Sequence, residues 1–113
     1  MTIHSNLPVY KASYDFLLDV FVFTKNFKRE YKYTIGNDIK KEMSWMIADI
    51  YRANTSLSKY QLLESAIDHL EVVRLYIRLI KDLKQISLDK FISLNVRIEE
   101  VSLQLYAWQK SGT

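Results

Sequence analysis

With 113 residues, the chain is long enough for one domain with a real core and too short for two comfortable ones. Two glycines and one proline give almost no turn punctuation, so few, long helices are favoured, and the lack of cysteine excludes disulfides and thiolate metal sites. Sixteen basic against thirteen acidic residues leave a net charge of +3, which permits a nucleic-acid partner without requiring one.

The opening MTIHSNLPVYK has neither a charged n-region nor an apolar h-region and does not read as a secretory signal. A first helix is expected from Pro8, a good first-turn residue because its missing N–H costs nothing there, to about Lys28. It carries two adjacent apolar stripes, Tyr10, Tyr14, Leu17, Leu18 and Phe21 beside Phe16, Val20, Phe23 and Phe27. Together they cover roughly 200°, about twice what a single bundle core uses. The stretch from Tyr31 to Asn37 contains Gly36 and is expected to break the helical pattern.

A second helix, about 37–53, follows with Ile39, Met43, Met46, Ile47 and Ile50 at spacings of three and four. Trp45 falls off that stripe, near Arg52, as an interface anchor or a displaced core residue. After Asn54-Thr55-Ser56-Leu57-Ser58, a third helix is expected over 58–85, capped by Ser58 or Ser56 and spanning roughly 40 Å. Val73, Ile77 and Ile80 form its apolar stripe, and Val72, Leu75, Tyr76, Leu79 and Leu83 carry it around the back. Arg74, Arg78 and Lys81 make a narrow cationic row. Ser87 should cap a fourth helix over about 87–110, with Asp89 in its first turn. Phe91, Leu94, Ile98, Val101, Leu105 and Trp108 form its seam, and Ile92, Val96 and Leu103 a minor stripe. The short connections imply a single all-α domain over 1–113, an antiparallel up-down-up-down four-helix bundle. No apolar run approaches the ~18 residues that span a bilayer, so no membrane partner and a cytoplasmic location are expected.

So much apolar surface on the first and third helices exceeds what a soluble monomer exposes, which points to a homo-oligomer. Its interface is assigned to Phe16, Val20, Phe23, Phe27, Leu75, Tyr76 and Leu79. The alternative is a thick, aromatic-rich core. Enzyme signatures are weak: His4 and His69 stand far apart, and there is no glycine-rich phosphate loop, HExxH or Gly-x-Ser-x-Gly. No ExxH pair suggests a ferritin-like metal site. A non-enzyme with no cofactor and no metal is the expectation.

Binding chemistry is better represented. Lys28, Arg29 and Lys32 cluster after the first helix, interleaved with Tyr31 and Tyr33, which could stack on bases. Lys40 and Lys41 open the second helix; Arg74, Arg78, Lys81 and Lys84 line the third; Lys90 and Arg97 lie on the fourth. The competing reading is a solvated surface neutralised by Glu30, Asp38, Glu42, Glu71 and Asp82.

Several segments resemble one family. They are Phe27-Lys28-Arg29-Glu30-Tyr31-Lys32-Tyr33-Thr34-Ile35-Gly36, then Ile50-Tyr51-Arg52-Ala53-Asn54, LYIRLIKDLKQIS from Leu75 to Ser87, and Tyr106-Ala107-Trp108-Gln109-Lys110. In this order they resemble the four-helix-bundle proteins that include the accessory variability determinant (Avd) of diversity-generating retroelements and the ribosomal-RNA intervening-sequence proteins. The proline common after the Phe27 position is Lys28 here. Trp45-Met46-Ile47-Ala48-Asp49 replaces the alanine- and serine-rich motif of the intervening-sequence branch, which favours the Avd-like branch.

The resemblance implies a ring-shaped bacterial homopentamer with basic surface turned to nucleic acid and, in the Avd branch, binding of a reverse transcriptase and its template RNA. Arg52, Arg74, Arg78 and Lys81 match the family's basic positions. The nucleic-acid site is therefore expected at Arg52, Arg74, Arg78, Lys81 and Lys84 with Lys28, Arg29 and Lys32. The alternative function is a protein-interaction module of the intervening-sequence type without strong nucleic-acid binding.

Overall fold

The structure, a computed structural model, describes residues 7–111. His4 and the first residues of MTIHSNLPVYK lie outside the described residues. The chain is an all-α four-helix bundle. Its long helices are α1 (Pro8–Phe23), α3 (Ile35–Thr55), α4 (Lys59–Asp82) and α5 (Leu88–Ser111). Between the first two lie a 3₁₀ turn (Thr24–Asn26) and a single helical turn, α2 (Arg29–Lys32).

Each long helix buries one seam at spacings of three and four. In α3 the seam is Ile35, Ile39, Met43, Met46, Ile50 and Ala53; in α4 it is Leu63, Ala66, Leu70, Val73, Ile77 and Ile80; in α5 it is Leu94, Ile98, Val101 and Leu105. Cross-helix contacts fix how the seams meet. Tyr60 and Glu64 meet Gln109, Arg74 meets Glu99, and Lys81 lies over the Phe91 ring. Rising positions on α4 thus pair with falling positions on α5. Lys90 Nζ, 2.8 Å from Asp19 Oδ2, ties α5 to α1.

The first helix corrects the interface assignment. Phe16, Val20, Phe23 and Phe27 are buried within the subunit, where they cannot reach a second copy. The exposed stripe is the other one, with Tyr14, Leu18 and Phe21 each about half open to solvent. The cause is the seam Val9-Ser13-Phe16-Val20-Phe23, in which the small, fully buried Ser13 supplies a position that an apolar count passes over. The competing stripe carries tyrosines, whose phenols favour a wet edge.

The expected limits of the first three helices shift as well, and the third ends at Asp82 rather than near Gln85. The first ends at Phe23, because Phe27 must turn back in extended backbone to reach the core. Gly36 breaks nothing; it is a buried residue in the first turn of α3. A Cβ there would stand 3.3 Å from Tyr31 O, 3.6 Å from Phe27 Cδ2 and 3.8 Å from Thr24 Cβ. The glycine therefore serves the close approach of the 24–32 segment rather than a turn. Gly36→Val is expected to cost about 1–3 kcal/mol by overpacking, measured by urea denaturation. Gly36→Ala should lie near neutral, since a helix-propensity gain of about 1 kcal/mol offsets the tight contact.

The caps divide similarly. Lys90 N–H donates to Ser87 Oγ at 3.0 Å, the expected start of α5. Neither Ser56 nor Ser58 caps the N–H groups of α4: Ser58 makes no side-chain cap bond, and Ser56 Oγ accepts from Ser58 N–H. Lys59 Nζ instead donates to Ala53 O and Ser56 O, closing the end of α3. That placement suits a cation at a helix C-terminus.

Candidate nucleic-acid interface

The cationic residues separate into three groups. The row on α4 is closed by its own acids. The Arg74 guanidinium pairs with Glu71 at 3.2 Å on its own helix and with Glu99 across on α5. Arg78 Nε stands 3.3 Å from Asp82 Oδ2, and Lys81 Nζ stands 3.3 Å from Asp82 Oδ1 and 4.8 Å from the Phe91 ring centre. Three cations thus share three carboxylates.

The titration directions agree. Burial works against the Arg74 charge, but hydrogen bonds to Glu99 and Glu71 outweigh it and raise its pKa above the ordinary arginine value. A hydrogen bond from Lys81, opposed by slight desolvation and aided by the charges of Lys81 and Arg78, lowers the Asp82 carboxyl below its ordinary value.

A second group is isolated. Arg52, with Nη1 3.8 Å from Asp49 Oδ1, lies about 25 Å along α3 from Ile35. On the same helix, Trp45 is no core residue: it is half exposed and its ring centre lies 5.6 Å from that of His69. His69 Nδ1 is 2.8 Å from Glu42 Oε1 and Nε2 is 3.7 Å from Asp49 Oδ2, so this histidine fastens α4 to α3. Lys90 and Arg97 both approach Asp19, at 2.8 and 4.0 Å, and Lys40 lies over the Phe21 ring.

The third group remains open. Lys28, Arg29, Lys32 and Lys84 make no ion pair among the described residues, and Lys28, Arg29 and Lys84 are exposed. They come from two segments far apart in sequence. The backbone N–H of Lys28 donates to Gln85 Oε1 at 2.7 Å, which brings the start of α2 against the connection from α4 to α5. Lys25, in the 3₁₀ turn, is likewise exposed and unpaired among the described residues, and Tyr33 on the same segment is largely exposed. Tyr31 is partly buried against the core and is not free to stack. One end of the bundle therefore presents a cationic surface with one accessible aromatic ring.

Lys28, Arg29, Lys32 and Lys84 are legible as candidates in the sequence, whereas Lys25, Gln85 and Glu99 emerge from the structure. Glu99 had a legible signal: with Ile92, Val96 and Leu103 it completes a stripe at spacings of four, three and four. An acid set in an apolar stripe calls for a partner. The pairing of Lys28 with Gln85 had none, because 57 positions separate them.

Besides the stripe on α1, exposed apolar surface lies on α4 and α5. Leu75 (63% exposed) and Leu79 stand open, as do Ile92, Val96 and Leu103, while Tyr76 is partly buried against the core. A shallow hollow of 540 Å³ is lined by Phe91, Ile92, Asn95, Val96 and Glu99, beside a groove of 400 Å³ reaching Leu75 and Arg74. No helix among the described residues is long and apolar enough to cross a membrane.

Fold and surface together define a small helical bundle with a cationic end and an exposed apolar face. A family model described as bAvd-like matches residues 8–112, nearly the whole chain, and the protein belongs to that family. It is thereby an accessory protein of the Avd kind. No curated protein matches it.

Proposed function

We propose that the protein is a non-enzymatic scaffold, an accessory factor of a diversity-generating retroelement in the bacterial cytoplasm, that binds RNA and the element's reverse transcriptase. The observation that carries this reading is the cationic end, where Lys28, Arg29, Lys32 and Lys84 are gathered without acidic partners among the described residues. Such charges bind phosphate by releasing its counterions. The +3 charge of one chain is modest, but self-association, to a pentamer on the family's pattern, would repeat the cationic end around an assembly. Several weak contacts would then act as one avid site.

The open apolar face of α4 and α5 suits protein contact, with a second copy or with the reverse transcriptase. There the neutralised Arg74–Glu99 and Arg74–Glu71 pairs would add register rather than net charge. The test is RNA affinity measured by fluorescence anisotropy across a salt series. Four phosphate contacts on single-stranded RNA give a log–log slope of about −3. Affinity indifferent to salt would contradict the reading and favour a module that binds protein alone.

A further inference from the structure

The turn between α4 and α5 is built in an unexpected way. α4 closes with a complete left-handed C-terminal motif: Gln85 N–H donates to Ile80 O at 2.8 Å and Lys84 N–H to Lys81 O at 2.9 Å. The residue placed in the left-handed conformation is Lys84, at φ 62°, the one described non-glycine residue with positive φ. Glycine is the usual occupant because a Cβ is disfavoured there. A lysine near a helix C-terminus recovers part of the cost through the helix dipole, but a lysine one turn earlier would do so without strain. Lys81 already occupies that place.

The next residue uses both ends of its side-chain amide. Gln85 Nε2 donates to Leu83 O at 2.9 Å, holding the side chain against its own turn, and Oε1 accepts from Lys28 N–H. Lys28 is the residue from which α2 starts, so this bond sets where Arg29–Lys32 begins. We infer that the Lys84-Gln85 turn is the positioning element of the cationic end: Gln85 fixes the Lys28–Lys32 segment beside the turn, and Lys84 is kept at a strained position because its charge is needed there to read a phosphodiester backbone. Gln85 acts through Lys28 and Arg29, whereas Lys84 touches the RNA itself.

The inference rests on the RNA-binding reading above, and the test separates the two. A labelled oligouridylate is titrated with the full chain and its variants over a salt series, alongside thermal melting and amide exchange of Lys28. Lys84→Gly is expected to melt a few degrees higher, because the strain is relieved, yet to bind RNA about threefold to tenfold more weakly. Lys84→Arg keeps the charge and should bind as the parent does. Gln85→Ala changes no charge, but it should speed Lys28 amide exchange, weaken binding severalfold and flatten the salt slope by about one contact.

A purely structural role for this turn would leave the salt slope of the folded variant unchanged. If Lys84→Gly and Gln85→Ala bind RNA like the parent while Lys28→Glu/Arg29→Glu loses it, the positioning role is overturned and the RNA site stands. If the parent itself fails to bind at low salt, both fall. Because Lys84→Gly is expected to stabilise the fold, the outcome survives even if Gln85→Ala folds poorly.

Discussion

Phe16→Ala is expected to destabilise the subunit by about 3–5 kcal/mol, the range for removing a fully buried aromatic ring. The side chain has no solvent exposure and sits at the middle of the Val9-Ser13-Phe16-Val20-Phe23 seam, closed by α3 and α5. The loss should appear in urea denaturation as a lower midpoint, and it should persist at high protein concentration. Leu75→Asp provides the contrast. Leu75 is largely exposed beside the α4–α5 groove, so this change should shift subunit stability by no more than about 0.5 kcal/mol. It should lower the mass of the proposed oligomer instead. If Phe16→Ala dissociated the assembly and left the subunit stable, the docking of α1 described above would be reversed.

Lys28→Glu together with Arg29→Glu should lower RNA affinity by about a hundredfold at low salt, since two phosphate contacts become two repulsions. Both side chains are exposed and without ion pairs among the described residues, so helical content and melting temperature should hold. The same reversal at Arg74 and Arg78 behaves differently. A carboxylate at position 74 would face Glu71 and Glu99, whose present partner is the guanidinium. That double substitution should perturb the α4–α5 contact and the assembly more than it perturbs RNA binding. An anisotropy titration of the two double variants side by side checks the assignment. Loss of RNA binding only in the α4 variant would return the site to the row on that helix.

Much of the fold was legible because local signals agreed with tertiary packing. Pro8 at the start of α1, Ser87 capping α5 and the Ile39-Met43-Met46-Ile50 seam are all where pattern and propensity place them. The failures share one cause, a choice between readings that only packing partners decide. Two stripes on α1 were nearly equal in apolar content, and the buried one was marked by Ser13, which hydropathy discounts. Gly36 reads as a helix breaker, yet it sits inside the first turn of α3, where Phe27 and Tyr31 return close to the helix.

The candidate site was legible as a set of charges but not as a set of neighbours. The acids that could neutralise the α4 row were partly visible at helical spacing, in Glu71 and Asp82, but Glu99 lies 25 positions from Arg74. Among the described residues, the two segments that carry the open cations are joined by the long-range hydrogen bond from Lys28 to Gln85. Spacing along one helix cannot announce such a contact.

Light scattering at low and high salt, with and without a structured RNA, decides whether the protein is an assembling scaffold that takes up RNA through charge. The expected mass is several times the 13.4 kDa of one chain, rising further with RNA at low salt and returning to the protein oligomer at high salt. A 13.4 kDa monomer that takes up no RNA at low salt would contradict it.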